Sequence, residues 1–554
     1  MAFDLVIRGG TIVDGSGLGA YVADVGIVGD RIAAIGRLHE RGREEIDADG
    51  LVVTPGFIDG HTHLDAQVFW DPGLRPSSYH GVTTVVAGNC GFTIAPTRAD
   101  HHDLIVRTLE NVEDMDPATL REGIAWEFET FPEYLDLVER RGTVLNYACY
   151  FGHSALRLYA MGDEAYERAA TPAEVERMCA LVQEGLEVGA AGFSTSFSFA
   201  HRGADGKPVP SRFADRDEVT ALFDVVGRFG RGVLLATPGE QCMFKDFYDH
   251  AERTGRPFTW PLFAAAGDRH RSQYELHKER TAAGANVWPQ VTSRPLTMQF
   301  TMADAYNLNI SDTFATLLAK GRDERLAAYR DPEFRSRAAE ELDAHAMAPR
   351  WDTYEVDETA RFPELRGRRI SAIAEERGCH PLDVLCEISV EEDLETRYRG
   401  YVANDEEAAV RELLTEKNVV LGLSDAGAHV DQLCDAALYT DFLGRWVRDR
   451  ALMPLEQGVR KVSGEAADIF GFEGRGYLRE GYHADVCVFD PATIDPGPLR
   501  RVRDFPADGE RLTAEQPVGV RHVLVNGVPI REDEQSRVES FAPEERPGVR
   551  PKIA

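Results

Sequence analysis

His61-Thr62-His63 directly follows the run Pro55-Gly-Phe-Ile-Asp-Gly60. Alternate side chains of a strand share one face, so histidines at i and i+2 project side by side. Two imidazoles at the end of a buried strand suit a divalent metal. A bare HxH also fits a polar loop, but the apolar strand, Pro55-Gly56 and Asp59 in front of it favour metal. Two donors do not complete a site. Gly88-Asn-Cys-Gly91 follows the apolar run Val82–Ala87 and offers Cys90, which alone would read as a small buried hydrophobe. Ser424-Asp-Ala-Gly-Ala-His429 follows Val419–Leu423 and offers Asp425. That carboxylate can ligate metal with one oxygen and take a proton from water with the other, as general base. Its plainer role would be a helix cap.

Four further residues could touch substrate or back up a metal ligand. His153 stands in Gly152-His-Ser154, after Val144–Cys149, and reads equally as a satisfied structural histidine. His201 lies in a loop after Ser194–Phe199, and His429 closes the Asp425 stretch. Arg294, in Ser293-Arg-Pro295, is a suitable fork for a substrate carboxylate.

The elements that must position these residues alternate between about 56 and 470. Buried apolar runs, eight with the HTH strand, are separated by amphipathic segments such as Pro172–Gly185. That pattern predicts an α/β fold, a parallel (β/α)8 barrel whose strand ends carry the site. The first 55 residues and those from 471 to 554 differ in texture. Short strand-like runs are punctuated there by Gly9-Gly10, Gly29-Asp30 and Asn526-Gly527, which predicts one small β-sandwich made by both chain ends. The catalytic barrel is thus expected over 56–470, with long insertions near 97–135 and 300–415 that would lie over the active site. The Pro- and Glu-rich tail from about 535 is expected to be loosely packed.

Bulk composition narrows the function classes. The 554 residues include 61 Lys+Arg against 93 Asp+Glu, a formal net charge of −32. A field of that sign disfavours nucleic acid and anionic membranes as partners. No apolar run reaches the roughly 20 residues needed to span a bilayer, and no export signal precedes the first strand. Eight cysteines without CxxC spacing read as reduced thiols. A cytoplasmic enzyme acting on a small molecule is the expectation, and large apolar barrels of this kind often pair as homo-oligomers.

Together these motifs resemble the amidohydrolase superfamily, and within it the N-acyl-D-amino-acid deacylases, or D-aminoacylases. The match runs through Asp4–Gly15, Pro55–His63, Gly81–Gly91, Gly152–Arg157, Gly189–Thr195, Ser424-Asp425 and Gly476–Val486. The resemblance implies a zinc-dependent hydrolase that cleaves the amide of an N-acylated D-amino acid with metal-activated hydroxide. It places His61, His63, Cys90 and Asp425 at metal-site positions. It also implies one histidine after strand five and one after strand six. Here those strands run into Ala236-Thr-Pro-Gly-Glu-Gln241 and Trp260-Pro-Leu-Phe-Ala264, and neither carries it. Either the ion sits on His61, His63, Cys90 and Asp425, or His153, Glu240 or His270 substitutes, or the site is degraded. The alternative functions are a cyclic amide or ureide hydrolase of the same superfamily, and a metal-poor barrel that only binds.

Overall fold

The structure is a computed structural model describing residues 3–113, 115–203, 206–264, 270–303, 305–318, 320–345, 348–430 and 435–554. Eight parallel strand positions succeed one another: β1 (Phe57–Asp59), β2 (Val82–Ala87), β3 (Asn146–Cys149, resuming as Phe151–Gly152), β4 (Gly192–Ser196), β5 (Val233–Thr237), β6 (Phe258–Pro261), β7 (Val287–Val291) and β8 (Val420–Leu421). Hydrogen bonding runs β1-β2-β3 and then β3-β4-β5-β6-β7-β8, all parallel. A parallel bridge from Thr62 to Ala426 joins the ends of β1 and β8 and closes the ring. The expected (β/α)8 barrel is therefore present. Nearly every strand residue is buried, the mark of a parallel sheet covered on both faces.

The helices between strands start where the sequence caps them. Thr130 and Thr171 each bond the third backbone N–H of the helix ahead, Glu133 and Glu174 bond back, and a proline stands in each first turn. Helix Arg216–Phe229 starts on the Asp215 cap and stops at Gly230, whose φ of 82° is the left-handed conformation glycine adopts freely.

Both chain ends meet in one nine-stranded sheet. Val52–Pro55 pairs antiparallel with Val486–Phe489 and parallel with Phe3–Ile12. Leu5, Ile7, Val25, Val53, Val486 and Leu524 form its core. The strand Val52–Pro55 leads directly into β1, so this sheet anchors the segment that delivers His61. The tail is not the loose extension expected from its composition. Gly548 N bonds Thr143 O at 2.8 Å, Tyr147 N bonds Val549 O at 3.0 Å and Ala554 N bonds Gly471 O at 2.8 Å. Its backbone supplies partners that a polar, proline-rich stretch conceals in the sequence.

Residues 97–135 contribute helices His102–Glu113 and Pro117–Gly123 and the start of Phe131–Arg141. Pro295–Glu407 forms a separate compact unit. Its three-stranded antiparallel sheet (Leu296–Thr301, Arg397–Ala403, Glu355–Glu358) and helices enclose Phe300, Phe314, Tyr329, Leu385 and Tyr398. No helix among the described residues is long and apolar enough to cross a membrane. Seven cysteines are free thiols, and Cys434 lies outside the described residues.

Candidate metal centre

His61 and His63 leave β1 at the barrel's C-terminal mouth, 1% and 5% exposed. His63 N is fixed to Ala426 O at 2.7 Å, which ties the HTH segment to the loop after β8. That loop brings Asp425 Oδ1 to 3.2 Å from His61 Nε2 and 3.3 Å from His63 Nε2. Cys90 Sγ lies 3.6 Å from His61 Nε2. Donor atoms of His61, His63 and Cys90 all fall within 4.8 Å of one another, the one such group among the described residues. Asp425 is the open member, its side chain 24% exposed.

Backbone geometry explains why such residues take up these positions. Gly88 (φ 76°) starts a tight turn in which Cys90 itself is left-handed at φ 54°; a Cβ on Gly88 would meet Tyr150 O at 2.8 Å. Asp65 Oδ2 accepts from Gly88 N at 3.0 Å, and Asn89 Nδ2 donates to Thr62 O and Val86 O at 3.1 and 2.8 Å. The two loops thus lock each other. Asp425 is also left-handed, at φ 49°. Gly427 behind it (φ 96°) passes so close to His63 O that a Cβ would sit 2.5 Å away. Strained non-glycine residues at one site mark a conformation that its surroundings over-determine.

The charges are complementary. Burial works against a charged ring at His61, yet Cys90 and Asp425 raise it to about 10. Burial likewise works against ionised Cys90 and Asp425, and the imidazoles bring the first below its ordinary value and the second well below. Two acidic donors thus face two basic rings across a common space, a donor set that fits a divalent cation. Beneath it, Ser424 Oγ donates to Asp59 Oδ2 at 2.6 Å; burial pushes Asp59 up to about 7 against that bond.

The remaining expected residues divide. His201 is brought near the group: its Nδ1 lies 2.6 Å from Ser196 Oγ, its ring stands edge-on to Phe92, and burial lowers it to about 4. His429 N donates to Glu113 O at 2.7 Å, while its Nδ1 is buried without a hydrogen-bond partner. His153 is not brought to the group. Its Nδ1 lies 2.8 Å from Thr195 Oγ1 and its Nε2 2.9 Å from Glu218 Oε1, so both ring nitrogens are occupied inside the protein. Arg294 pairs with buried Asp441 at 3.6 Å. Glu240 is exposed, and His270 immediately precedes helix Arg271–Ala282. The end of β5 offers Thr237, which bonds Ser196, and β6 ends in Trp260 and Pro261.

Two residues at the centre escape sequence reasoning. Gln290 on β7 lies 2.6 Å from His61 Nδ1, and its signal was a polar side chain inside the buried run Val287–Val291. Glu113 Oε1 lies 2.9 Å from His63 Nδ1. It sits in an acidic stretch where nothing distinguishes it from its neighbours.

A closed parallel barrel bearing two histidines, a cysteine and an aspartate at its strand C-termini defines a hydrolase scaffold of the metal-dependent kind. The chain belongs to the amidohydrolase family, whose model matches residues 44–531. The D-aminoacylase of Alcaligenes xylosoxydans xylosoxydans is 31% identical over 543 residues, covering 96% of this chain and 95% of that one. A D-aminoacylase structure concerned with a binuclear metal centre, one-metal activation and second-metal attenuation is 26% identical, with a TM-score of 0.67, covering 99% of this chain and 100% of that chain. An N-acyl-D-glutamate deacylase from Bordetella bronchiseptica, complexed with zinc and a phosphonate mimic of the tetrahedral intermediate, is 26% identical with the same TM-score and 99% of each chain covered.

Proposed function

We propose that this amidohydrolase removes the acyl group from N-acyl-D-amino acids, using one divalent ion, zinc by preference, held by His61, His63, Cys90 and Asp425. The observation that carries the reading is the convergence of both imidazole Nε2 atoms on Asp425 Oδ1, at 3.2 and 3.3 Å, beside the Cys90 sulfur. The near full-length similarity to D-aminoacylase supports the substrate class over cyclic amides and ureides. A bound divalent ion would supply Lewis acidity to the scissile carbonyl and lower the pKa of water.

The chain's own residues do the rest. Gln290 Nε2 faces Gly60 O at 3.5 Å, which leaves its Oε1 to accept from His61 Nδ1–H and turns the Nε2 lone pair into the site. Asp425, ionised and partly open, is the base that accepts the proton of the attacking water and delivers it to the leaving amine. His201 and His429, both within electrostatic reach of Glu113 beside the group, are assigned to contact the acyl or amino-acid part of the substrate.

The test is amine release from a panel of N-acetyl-D-amino acids, their L forms and cyclic amides, with metal quantified on the same protein. Hydrolysis confined to the D series at about one ion per chain is the expected result. A metal-loaded protein inert toward the whole panel, or a His63→Ala variant of undiminished activity, would exclude the reading.

A further inference from the structure

Glu113 has an unfavourable position by itself. It lies in the final turn of helix His102–Glu113, where the helix dipole opposes a carboxylate, and it is only 3% exposed. Among the described residues no arginine or lysine lies within ion-pair distance of it; its one ion-pair contact is His63, with His429 and Asp425 also within electrostatic reach. A buried carboxylate without a partner is strongly disfavoured, so this contact decides whether the side chain is tolerated there.

The geometry divides the His63 ring between two acids. Nε2 faces Asp425 Oδ1 at 3.3 Å, inside the metal group, while Nδ1 lies 2.9 Å from Glu113 Oε1 on the far side, an ion-pair contact not aligned as a hydrogen bond in this structure. Backbone bonds hold the three together: His63 N donates to Ala426 O and His429 N to Glu113 O, both at 2.7 Å. The insertion after β2 is thereby fastened to the Asp425 loop at the point where it presents the carboxylate. Metal-binding histidines commonly give their other N–H to a carboxylate, which sets the tautomer and raises ligand basicity. His61 has Gln290 in the equivalent place.

We infer that Glu113 is a positioning residue for the metal centre: it holds His63 with Nδ1 protonated and Nε2 as the donor, and so sets the affinity of the HTH pair for the ion. The inference rests on the metal site proposed above. In a barrel without imidazoles at the ends of β5 and β6, it gives the residues 97–135 a chemical role: they carry the anion that strengthens one of the imidazoles that remain.

The probe is Co2+, titrated into metal-free wild type, Glu113→Ala and Glu113→Gln against a competing chelator. The Cys90 thiolate-to-cobalt absorption band reports the ligand set. Glu113→Ala is expected to weaken Co2+ binding roughly 10–100-fold with the band unmoved in wavelength, because the directly bound atoms are unchanged. Glu113→Gln keeps an amide oxygen for Nδ1–H and should recover part of the loss. It also answers the question if the alanine variant fails to fold, by binding more weakly than wild type. Variants that bind Co2+ within about twofold of wild type overturn the inference and leave the metal site standing. A band that shifts in Glu113→Gln overturns it too, by making Glu113 a ligand. Wild type that takes up no Co2+ overturns this inference together with the metal site beneath it.

Discussion

His61 Nδ1 and Gln290 Oε1 are 2.6 Å apart, both buried, at the mouth of the barrel where β1 and β7 end. The amide oxygen makes the imidazole a donor on one side and a lone-pair ligand on the other. Replacing Gln290 with leucine removes the acceptor and lets the ring take the opposite tautomer. Metal affinity measured by chelator competition should fall roughly 10–100-fold, with kcat/KM falling alongside at limiting metal. Gln290→Glu should keep the affinity, since a carboxylate oxygen accepts the same bond. Equal affinities in wild type and the leucine variant would contradict this assignment.

Asp425 is expected to be a base more than a scaffold. Asp425→Asn keeps an oxygen of the same size beside the two Nε2 atoms but cannot accept a proton. Its kcat should drop roughly 10²–10⁴-fold while the ion still loads at saturating concentration. Single-turnover amine release on the loaded variant measures the chemical step. A kcat within tenfold of wild type would move the base elsewhere, with His201 and His429 the next residues to replace.

How much of this is legible in the sequence depends on whether a residue's environment is written in its immediate neighbours. His61, His63, Cys90 and Asp425 each follow an apolar run, and a parallel barrel sends every such run to the same face, so strand position alone brings them together. His153 also follows a strand, yet it opens helix His153–Met161, and its nitrogens meet Thr195 and Glu218 from later in the chain. Only tertiary placement separates it from Cys90. Glu113 is hidden for the opposite reason: it belongs to an insertion, whose docking is set by long-range bonds such as His429 N to Glu113 O. The tail misleads because polar, proline-rich composition describes side chains, while its packing runs through backbone bonds to Thr143, Tyr147 and Gly471.

Metal removal should be visible in stability as well as activity. An ion present at 100 times its dissociation constant, and bound only by the folded chain, stabilises it by about 2.7 kcal/mol. Chelated protein should therefore unfold at lower temperature by differential scanning calorimetry, lose hydrolysis, and regain both on adding back one equivalent of zinc. Full activity after exhaustive chelation would be incompatible with the proposed centre.

His80 provides a pH test away from the metal group. It ends the turn Ser77–His80 and is wholly buried, with Nδ1 2.7 Å from Thr440 Oγ1 and Nε2 2.8 Å from Ala514 O. Burial lowers it from 6.5 to about 3, and Arg294 and Arg531 push in the same direction. The unfolded chain therefore binds a proton between pH 6.5 and pH 3 that the folded chain refuses. Stability from this group is complete above pH 6.5 and declines as pH falls below it, levelling off near pH 3. From about pH 7 to about pH 5 the loss is roughly 2 kcal/mol, since a tenfold difference in proton affinity is worth about 1.4 kcal/mol. His80→Gln preserves an acceptor for Thr440 and a donor for Ala514 but does not titrate. It should be less stable than wild type at about pH 7, with the gap narrowing by roughly 2 kcal/mol at about pH 5. Urea unfolding followed by tryptophan fluorescence at the two pH values gives the comparison. A gap that stays constant would mean that His80 titrates in the folded protein as it does in the unfolded chain.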